Sequence, residues 1–185
     1  MAELRKIPNL EGPVEIFPRK FYDDRGYFFE SFREDWLQKL GIEEEWVQDN
    51  QSFSQKGTVR GLHFQREPFA QAKLVRVVSG KVLDVVVDLR KSSPTFGKTY
   101  TTLLDAERSN LFFIPRGFAH GFAVLEDAVF VYKCSNYYNK ESEGGILWND
   151  PELGIDWGVS EPIISEKDKI WPTIQEFKER TGGGL

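Results

Sequence analysis

The clearest structural signal in the chain is the stretch Leu74-Val75-Arg76-Val77-Val78-Ser79-Gly80-Lys81-Val82-Leu83-Asp84-Val85-Val86-Val87-Asp88-Leu89. Valine and leucine predominate on both sides of Ser79-Gly80, and such runs are typical of β-strands. Because Ser-Gly is a turn signal, the stretch predicts two strands, residues 74–78 and 82–89, joined by a turn. The three consecutive valines at 85–87 would be apolar on both faces of a sheet, which predicts a central strand.

The same pattern continues along the chain in both directions. Turn signals such as Gly57 and Pro115-Arg116-Gly117 recur about every ten residues, with short runs rich in Val, Phe, Tyr and Leu between them. Further strands are expected at residues 100–104, 111–114 and 129–134. Short strands separated by regular turns predict an all-β sandwich or barrel.

Two short helices are expected beside the strands. Residues 34–40 form one candidate, which ends at Gly41, and residues 173–180 form another, which follows Pro172. A chain of 185 residues without a linker or repeat predicts a single domain over residues 1–185. Residues 181–185, which include three consecutive glycines, are expected to be a flexible tail.

Charge and cysteine content limit the possible partners and location. A formal net charge of −5 argues against a broad nucleic-acid surface, although basic side chains that converge in a cleft can still bind a small anion. Cys134 is the only cysteine, so no intrachain disulfide is possible and a reducing compartment fits. We find no secretory leader and no apolar run long enough to span a bilayer, so we expect a cytoplasmic protein without a membrane partner.

His63 is one of only two histidines, and its neighbours are unusually polar. Strand alternation would put His63 and Gln65 on one face of a strand, with Leu62 and Phe64 on the other. A histidine in a strand is more often a packed core residue than a functional one, but Arg60 and Gln65 favour a functional site. Strict alternation turns Arg60 away from His63, whereas a bulge at Gly61 would re-aim one of them, and the sequence leaves both possibilities open.

His120 ends the segment Ile114-Pro115-Arg116-Gly117-Phe118-Ala119-His120, in which Pro and Gly predict a tight turn between two strands. This Pro-x-Gly-x-x-His pattern resembles the second conserved motif of the cupin superfamily of jelly-roll barrels. Many cupins bind a metal through a His-x-His pair and a Glu in the first motif, but here that stretch reads His63-Phe64-Gln65. With two histidines and no evident carboxylate cluster, we expect no metal.

From about residue 12 to residue 171 the chain resembles the dTDP-4-dehydrorhamnose 3,5-epimerase family. The matching segments, all in the family's order, are DRGYFFESF (24–32), QDN (48–50), RGLHFQ (60–65), KLV (73–75), DVVVDLR (84–90), IPRGFAHGF (114–122), YK (132–133), EGGI (143–146) and SEKD (165–168). Gly158 and Lys140 stand where the family often has Pro, and neither is at a proposed catalytic position. The resemblance implies a cupin-type jelly-roll barrel with short flanking helices.

The resemblance also implies an activity that needs no cofactor. The family's substrate is a dTDP-linked 4-keto-6-deoxy sugar, whose keto group acidifies the hydrogens on C3 and C5. Inversion through an enolate needs a base, an acid on the other face and a positive charge near the enolate oxygen. His63 would be the base, Asp168 would orient its imidazole, Tyr132 would be the acid, and Lys73 would stabilise the enolate. The alternative for Lys73 is a structural salt bridge to Asp84, and for Tyr132 a packed core residue.

Substrate-binding residues follow from the same resemblance. The diphosphate could be bound by Arg25, Arg60 and Lys167. The thymine and deoxyribose could be bound by Glu30, Gln48 and Asn50, and the sugar or a phosphate could be bound by His120. Tyr138 could stack on the sugar ring, and Glu143 is a further candidate. Each charged residue in this set could instead be a solvated surface group, especially Arg25 in its Asp-Asp-Arg-Gly turn.

The family also suggests a homodimer, with residues 21–32 as strands shared between subunits. A related dTDP-keto-sugar 3-epimerase, 5-epimerase or ketoisomerase is the first alternative, and the sequence separates these poorly from a double epimerase. A non-catalytic sugar-nucleotide-binding module is the second, but binding alone does not require a base and an acid. Rate, order of the two epimerisations and preference for dTDP over UDP do not follow from the sequence.

Overall fold

The computed structural model describes residues 2–185, and most of its regular secondary structure is β-strand. The strands are Glu3–Lys6 (β1), Val14–Phe17 (β2), Phe21–Asp23 (β3), Gly26–Phe28 (β4), Gln48–Ser54 (β5), Thr58–Gln65 (β6), Lys73–Asp88 (β7), Thr99–Asp105 (β8), Leu111–Ile114 (β9), Phe118–Cys134 (β10), Glu143–Gly145 (β11) and Ile163–Ile164 (β12). The α-helices are Glu34–Gln38 (α1) and Ile174–Thr181 (α2), and a 3₁₀ turn covers Lys167–Lys169. The predicted all-β fold is confirmed.

The two longest strands, β7 and β10, run antiparallel to each other over nearly their whole lengths. Each has different neighbours at its two ends. β7 pairs with β9 through its first residues and with β8 through its last, whereas β10 pairs with β6 near its start and with β5 near its end. The sheet therefore consists of two halves that share two continuous strands.

Gly80 is where β7 bends rather than ends. The prediction of two strands separated by a turn at Ser79-Gly80 is wrong, because pairing with β10 continues across this point with register shifts. Gly80 has φ +77°, and a Cβ there would lie 2.1 Å from the carbonyl oxygen of Asp127. Only glycine allows the two backbones to come this close. Ser79-Gly80 therefore marks a bend within β7 and not a turn between two strands.

Apolar residues fill three layers around the two halves of the sheet. Between the halves pack Val75, Val86, Phe112 and Phe130 with their neighbours. Val85 and Val87 point the other way, into a second cluster that includes Phe177 of α2. The prediction that the valine run lies centrally is therefore confirmed, because all three valines are fully buried.

The helices cover the outer faces of the sheet. α1 buries Trp36 and Leu37 against the outer side of β2 and β9, and α2 begins at a Thr173 cap whose hydroxyl accepts a hydrogen bond from Glu176 N. After α2, the Leu185 amide donates to the Leu89 carbonyl, so backbone hydrogen bonds link the segment predicted to be a flexible tail to the sheet. Among residues 2–185, no helix is long and apolar enough to cross a membrane.

β3 and β4 form a separate two-stranded hairpin outside the main sheet. Its aromatic side chains are unusually exposed, with Tyr22 at 72% and Phe28 at 67% of full exposure. Arg25 lies at the tip of this hairpin. The hairpin is thus an apolar projection that the rest of the chain does not cover.

Candidate active site

A cavity of about 710 Å³ opens on the inner face of the sheet, and a smaller one of about 150 Å³ adjoins it. His63, Lys73, Tyr132 and Glu143 line both cavities, so the two form one continuous site. Eleven of the thirteen residues predicted for the site line this space; these are His63, Lys73, Tyr132, Asp168, Gln48, Asn50, Arg60, His120, Tyr138, Glu143 and Lys167.

Strand register explains why many of these side chains share one face. Tyr132 on β10 lies opposite Asn50 on β5, and Cys134 lies opposite both Gln48 and Lys73. Because side chains alternate along a strand, residues paired in register and those two positions away point to the same side. That side is the inner one, since Phe130 and Val75 of the same rows belong to the inner core.

Arg60 and His63 point into the same cavity, which resolves the alternative left open by the sequence. His63 pairs with His120, but Arg60 pairs with Phe122, so β6 has one more residue than β10 in this interval. Gly61 has φ +135°, and a Cβ there would lie 2.5 Å from the Cα of Gly121. The extra residue is a β-bulge, and it places Arg60 on the His63 side of the strand.

The His63 imidazole is held by the carboxylate of Asp168. His63 Nε2 and Asp168 Oδ1 lie 2.5 Å apart, and the Gly61 amide donates to the other oxygen at 3.4 Å. Burial raises the pKa of Asp168, but the hydrogen bond and charge of His63, together with hydrogen bonds from Gly61 and Ser165, outweigh burial, so this pKa lies below its ordinary value. An ionised Asp168 accepts a hydrogen bond from the Nε2–H group of His63. Nδ1 is then the ring nitrogen that can take up a proton.

The parallel pairing of β12 with β6 brings Asp168 to His63 although 105 residues separate them. β12 lies beside Thr58 and Val59, and the chain then turns through Ser165 into the 3₁₀ turn that contains Asp168. Asp168 is 3% exposed, whereas the His63 side chain keeps 27% of its exposure. Asp168 is therefore fixed in the cavity wall, whereas His63 faces the cavity.

Lys73 extends into the cavity without an ion-pair partner among residues 2–185. The salt bridge to Asp84 considered from the sequence is absent, because Asp84 bonds His120 instead. Burial lowers the pKa of Lys73, while Cys134, Asp84 and Glu143 oppose that shift. Its amino group is available to a ligand and gains stability from any negative charge placed beside it.

Tyr132 lies on the same face as Lys73, and its hydroxyl makes no hydrogen bond within the described part of the chain. Burial raises the pKa of this phenol, and Cys134 and Glu143 add to the rise while Arg60 opposes it. The phenol therefore keeps its proton at neutral pH. Its ring also packs against the inner core, as the packing alternative from the sequence expected. Tyr132 therefore combines a packed ring with a hydroxyl that faces the cavity.

His120 lines the cavity but is itself almost buried. Its Nε2 lies 2.9 Å from Asp84 Oδ2, and its ring stacks on Phe130 at 6.1 Å between centroids. Burial lowers the pKa of His120 and raises that of Asp84, while the charge of each partner and their mutual hydrogen bond oppose these shifts. The expected sugar or phosphate contact of His120 stays a prediction.

The smaller cavity is lined by polar groups that bond one another. Gln48 donates to Asn50 and accepts from the Tyr138 amide, both within 3.1 Å. The Tyr138 hydroxyl donates to Glu143, whose other oxygen pairs with Lys167 at 2.7 Å. These contacts fix the aromatic ring of Tyr138 at the rim, where it is 54% exposed.

Two of the predicted residues do not reach the cavity of their own chain. Arg25, in the hairpin turn, pairs with Asp23 at 2.6 Å, and Glu30 pairs with Arg33 at 3.0 Å. Neither lines the cavity, so this chain alone does not bring them together with His63. Their role in binding stays a prediction.

Sequence reasoning missed several lining residues, namely Ser52, Gln71, Phe122, Phe130 and Cys134. Phe130 and Cys134 stand two positions before and after Tyr132, so strand alternation from Tyr132 could have found them. Gln71 lies in a loop and carries no such signal. Among residues 2–185, no group of three His, Cys, Asp or Glu side chains could hold a metal ion.

A histidine held by an aspartate, a lysine, a tyrosine and a basic rim around one cavity are typical of an enzyme that moves protons on an anionic substrate. Comparisons with known proteins agree with this class. The family model described as dTDP-4-dehydrorhamnose 3,5-epimerase matches residues 8–176. The chain belongs to the dTDP-4-dehydrorhamnose 3,5-epimerase family and is an enzyme of that family.

Individual relatives are similar over nearly their full lengths. The dTDP-4-dehydrorhamnose 3,5-epimerase of Methanothermobacter thermautotrophicus is 50% identical over 95% of this chain and 97% of its own. The crystal structure of the Elizabethkingia anophelis enzyme of that name has a TM-score of 0.90 at 49% identity, covering 95% and 97% of the two chains. The Legionella pneumophila dTDP-6-deoxy-D-glucose-3,5-epimerase, solved with dTDP-4-keto-L-rhamnose, has a TM-score of 0.91 at 42% identity, covering 97% and 96%.

Proposed function

We propose that the enzyme inverts C3 and C5 of dTDP-4-dehydro-6-deoxy-D-glucose to give dTDP-4-dehydro-L-rhamnose. The observation that carries the proposal is the convergence of the His63–Asp168 pair, the Lys73 amino group and the Tyr132 hydroxyl on one cavity. The Legionella relative, solved with a dTDP-4-keto sugar, supports the same class of substrate.

His63 removes the proton. The C4 keto group acidifies the hydrogens on C3 and C5, and Nδ1 of His63 takes one of them while Nε2 remains bonded to Asp168. The imidazolium that forms lies beside an ionised carboxylate in a largely buried wall, which stabilises its charge. Asp168 therefore both orients the ring and supports the proton transfer.

Lys73 stabilises the enolate. Negative charge develops on the C4 oxygen when the proton leaves, and a cation without a protein ion pair is free to meet it. Burial lowers the proton affinity of the amino group in the free enzyme, but the enolate raises it again at the moment of reaction. Lys73 is thus positively charged when the enolate forms.

Tyr132 donates its own phenolic proton to the opposite face of the enolate, while the proton removed from the sugar stays on His63. Exchange with solvent then restores both side chains for the next turnover. The Tyr132 phenol is protonated at neutral pH because burial raises its pKa. Its hydroxyl makes no hydrogen bond to residues 2–185, so it is available to the sugar. A second proton donor, separate from the base, is what inversion rather than simple exchange requires.

Arg60 and Lys167 bind the diphosphate, since both line the cavity and carry donors for phosphate oxygens. Gln48 and Asn50 bind the nucleoside edge, and Tyr138 stacks on a ring at the rim. The enzyme needs no metal or other cofactor for these steps, because the base, the acid and the positive charge are side chains.

The wider architecture belongs to the same proposal. The two halves of the sheet form a cupin-type jelly roll in one domain. Two chains form a homodimer through the exposed aromatic hairpin, with residues 21–32 shared between subunits, which would carry Arg25 and Glu30 towards the partner. Cys134 is free in this chain, which fits a reducing cytoplasm.

The experiment is to incubate the protein with dTDP-4-dehydro-6-deoxy-D-glucose in deuterated water with a chelator, and to locate the label by NMR. The proposal predicts deuterium at both C3 and C5 and a product with the L-rhamno configuration. Label and inversion at one centre would favour the 3- or 5-epimerase instead. No exchange, or exchange that returns only with a divalent ion, would refute the proposal.

A further inference from the structure

Trp171 donates a hydrogen bond to the catalytic carboxylate from outside the cavity. Its indole Nε1 lies 3.3 Å from Asp168 Oδ1, the same oxygen that lies 2.5 Å from His63 Nε2. Trp171 is absent from the lining of both cavities, so any effect it has on the substrate is indirect, through the groups it contacts. Its ring meets the His63 ring edge to face, 6.4 Å between centroids and 72° between planes.

The surrounding backbone leaves room for this indole and holds it. A Cβ on Gly145 would lie 2.6 Å from three atoms of the Trp171 ring, including Nε1, so only glycine permits the ring at this site. The next residue, Pro172, accepts a hydrogen bond from the Leu147 amide at 2.8 Å, which ties the backbone after Trp171 to the segment after β11. The indole is thus fixed between Gly145 on one side and the His63–Asp168 pair on the other.

We infer that Trp171 is a positioning residue that holds the Asp168 carboxylate and, by sharing the charge on Oδ1, limits how strongly Asp168 attracts the His63 imidazolium. The inference rests on the proposed role of His63 as the base. Oδ1 accepts from two N–H groups, His63 Nε2 at 2.5 Å and Trp171 Nε1 at 3.3 Å, whereas Oδ2 accepts from the Gly61 amide at 3.4 Å. An N–H donor to a carboxylate stabilises its negative charge, so less of that charge acts on the imidazole.

The substitution Trp171→Phe removes the N–H and keeps an aromatic ring. Without the indole, Asp168 attracts the imidazolium more strongly, so a higher pH is needed to free the base. We expect the acid limb of the pH profile of kcat/KM to move up by about half a unit. The less restrained carboxylate lowers kcat roughly three- to tenfold, while the affinity for dTDP stays unchanged.

Trp148→Phe is the matched control, because Trp148 is also partly buried but packs in the outer cluster with α2. It should leave the pH profile and kcat at their wild-type values. A Trp171→Phe profile that coincides with that of the wild type would overturn the inference and reduce Trp171 to a space-filling residue.

A second measurement needs neither the variant's activity nor a substrate. The five tryptophans give five indole N–H signals in a ¹H–¹⁵N spectrum, and the one lost in Trp171→Phe is Trp171. In the wild type this signal should move as the pH falls through the acid limb, and in His63→Ala it should not. A signal that ignores pH would overturn the inference. If the Trp171 signal shifts with pH only when His63 is present, but the protein exchanges no sugar hydrogens, the inference stands and the proposed function is refuted.

Discussion

Arg60 is one of two exposed cations that line the cavity, and its guanidinium makes one hydrogen bond within residues 2–185. Its Nε donates to Ser54 Oγ at 2.9 Å, which orients the side chain, and the two terminal nitrogens make no hydrogen bond in the described part of the chain, so they can bind phosphate oxygens. Lys167, by contrast, is already paired with Glu143 at 2.7 Å. Arg60 should therefore contribute more to diphosphate binding than Lys167 does.

Arg60→Ala should weaken dTDP binding by about 1.5–3 kcal/mol, the usual contribution of a charge-assisted hydrogen bond. Calorimetric titration with dTDP measures it directly. Arg108→Ala is the control, because it removes the same charge from an exposed turn that does not line the cavity. If both variants bind dTDP as the wild type does, Arg60 is not part of the diphosphate site.

At the scale of strands, the site depends on the close crossing of β6 and β10 at Gly61 and Gly121. A Cβ on Gly121 would lie 2.6 Å from the Arg60 carbonyl, and a Cβ on Gly61 would lie 2.5 Å from Gly121. The bulge that this crossing permits brings Arg60 and His63 to one side. These two glycines thereby set the distance between His63, the proposed base, and Arg60, the proposed phosphate-binding group.

Gly61→Ala should destabilise the protein by at least about 2 kcal/mol, because it combines a positive φ with a clash against backbone. It should also lower kcat/KM in the fraction that remains folded. Urea unfolding and steady-state kinetics measure the two effects.

Gly97→Ala separates the two causes of that loss. Gly97 also has a positive φ, +77°, but a Cβ there would meet no other atom within 4 Å. The substitution should cost only about 1 kcal/mol and leave kinetics unchanged. Equal losses in the two variants would mean that the close crossing at Gly61 has no special importance.

Strands and glycines also show what the sequence could and could not predict. Continuous apolar runs predicted strands at the valine run and at residues 111–114 correctly, because strands buried on both faces of a sheet are apolar throughout. The continuity of β7 through Gly80 was not predictable from a turn signal, since it depends on β10 continuing to pair alongside. Asp168 entered the site only by resemblance to a family, because its position depends on β12 pairing with a strand about a hundred residues earlier.

At the scale of the whole molecule, the uncovered part is the hairpin of β3 and β4. Tyr22 and Tyr27 contact each other across it at 6.0 Å, and Lys20 lies over the Tyr27 ring at 4.5 Å, but within residues 2–185 the two tyrosines stay 72% and 57% exposed. Exposed aromatic clusters of this kind are typical of subunit interfaces. In the proposed dimer, the second subunit covers these aromatic side chains.

The wild type should sediment at twice 21.4 kDa at micromolar concentration, and Tyr22→Ser combined with Phe28→Ser should shift it to the single-chain mass. Ile170→Ser is the control, since Ile170 is 80% exposed but isolated from the hairpin. Far-UV circular dichroism checks that the variants stay folded. A wild type that sediments as a single chain would contradict the dimer.

The division of labour between His63 and Tyr132 is the central claim, and it can be tested in one series. Wild type, His63→Ala and Tyr132→Phe are each incubated with the keto sugar in deuterated water, and label and configuration are followed by NMR. Tyr100→Phe is the matched control, because its hydroxyl bonds Glu15 outside the cavity. It should behave as the wild type does.

Tyr132→Phe should still bring deuterium into C3 or C5 through His63 but should form little of the inverted product. His63→Ala should do neither, with kcat lowered at least about a hundredfold while dTDP binding is kept. Inverted product formed by Tyr132→Phe at the wild-type rate would contradict the account, because the proton on the second face would then come from another group.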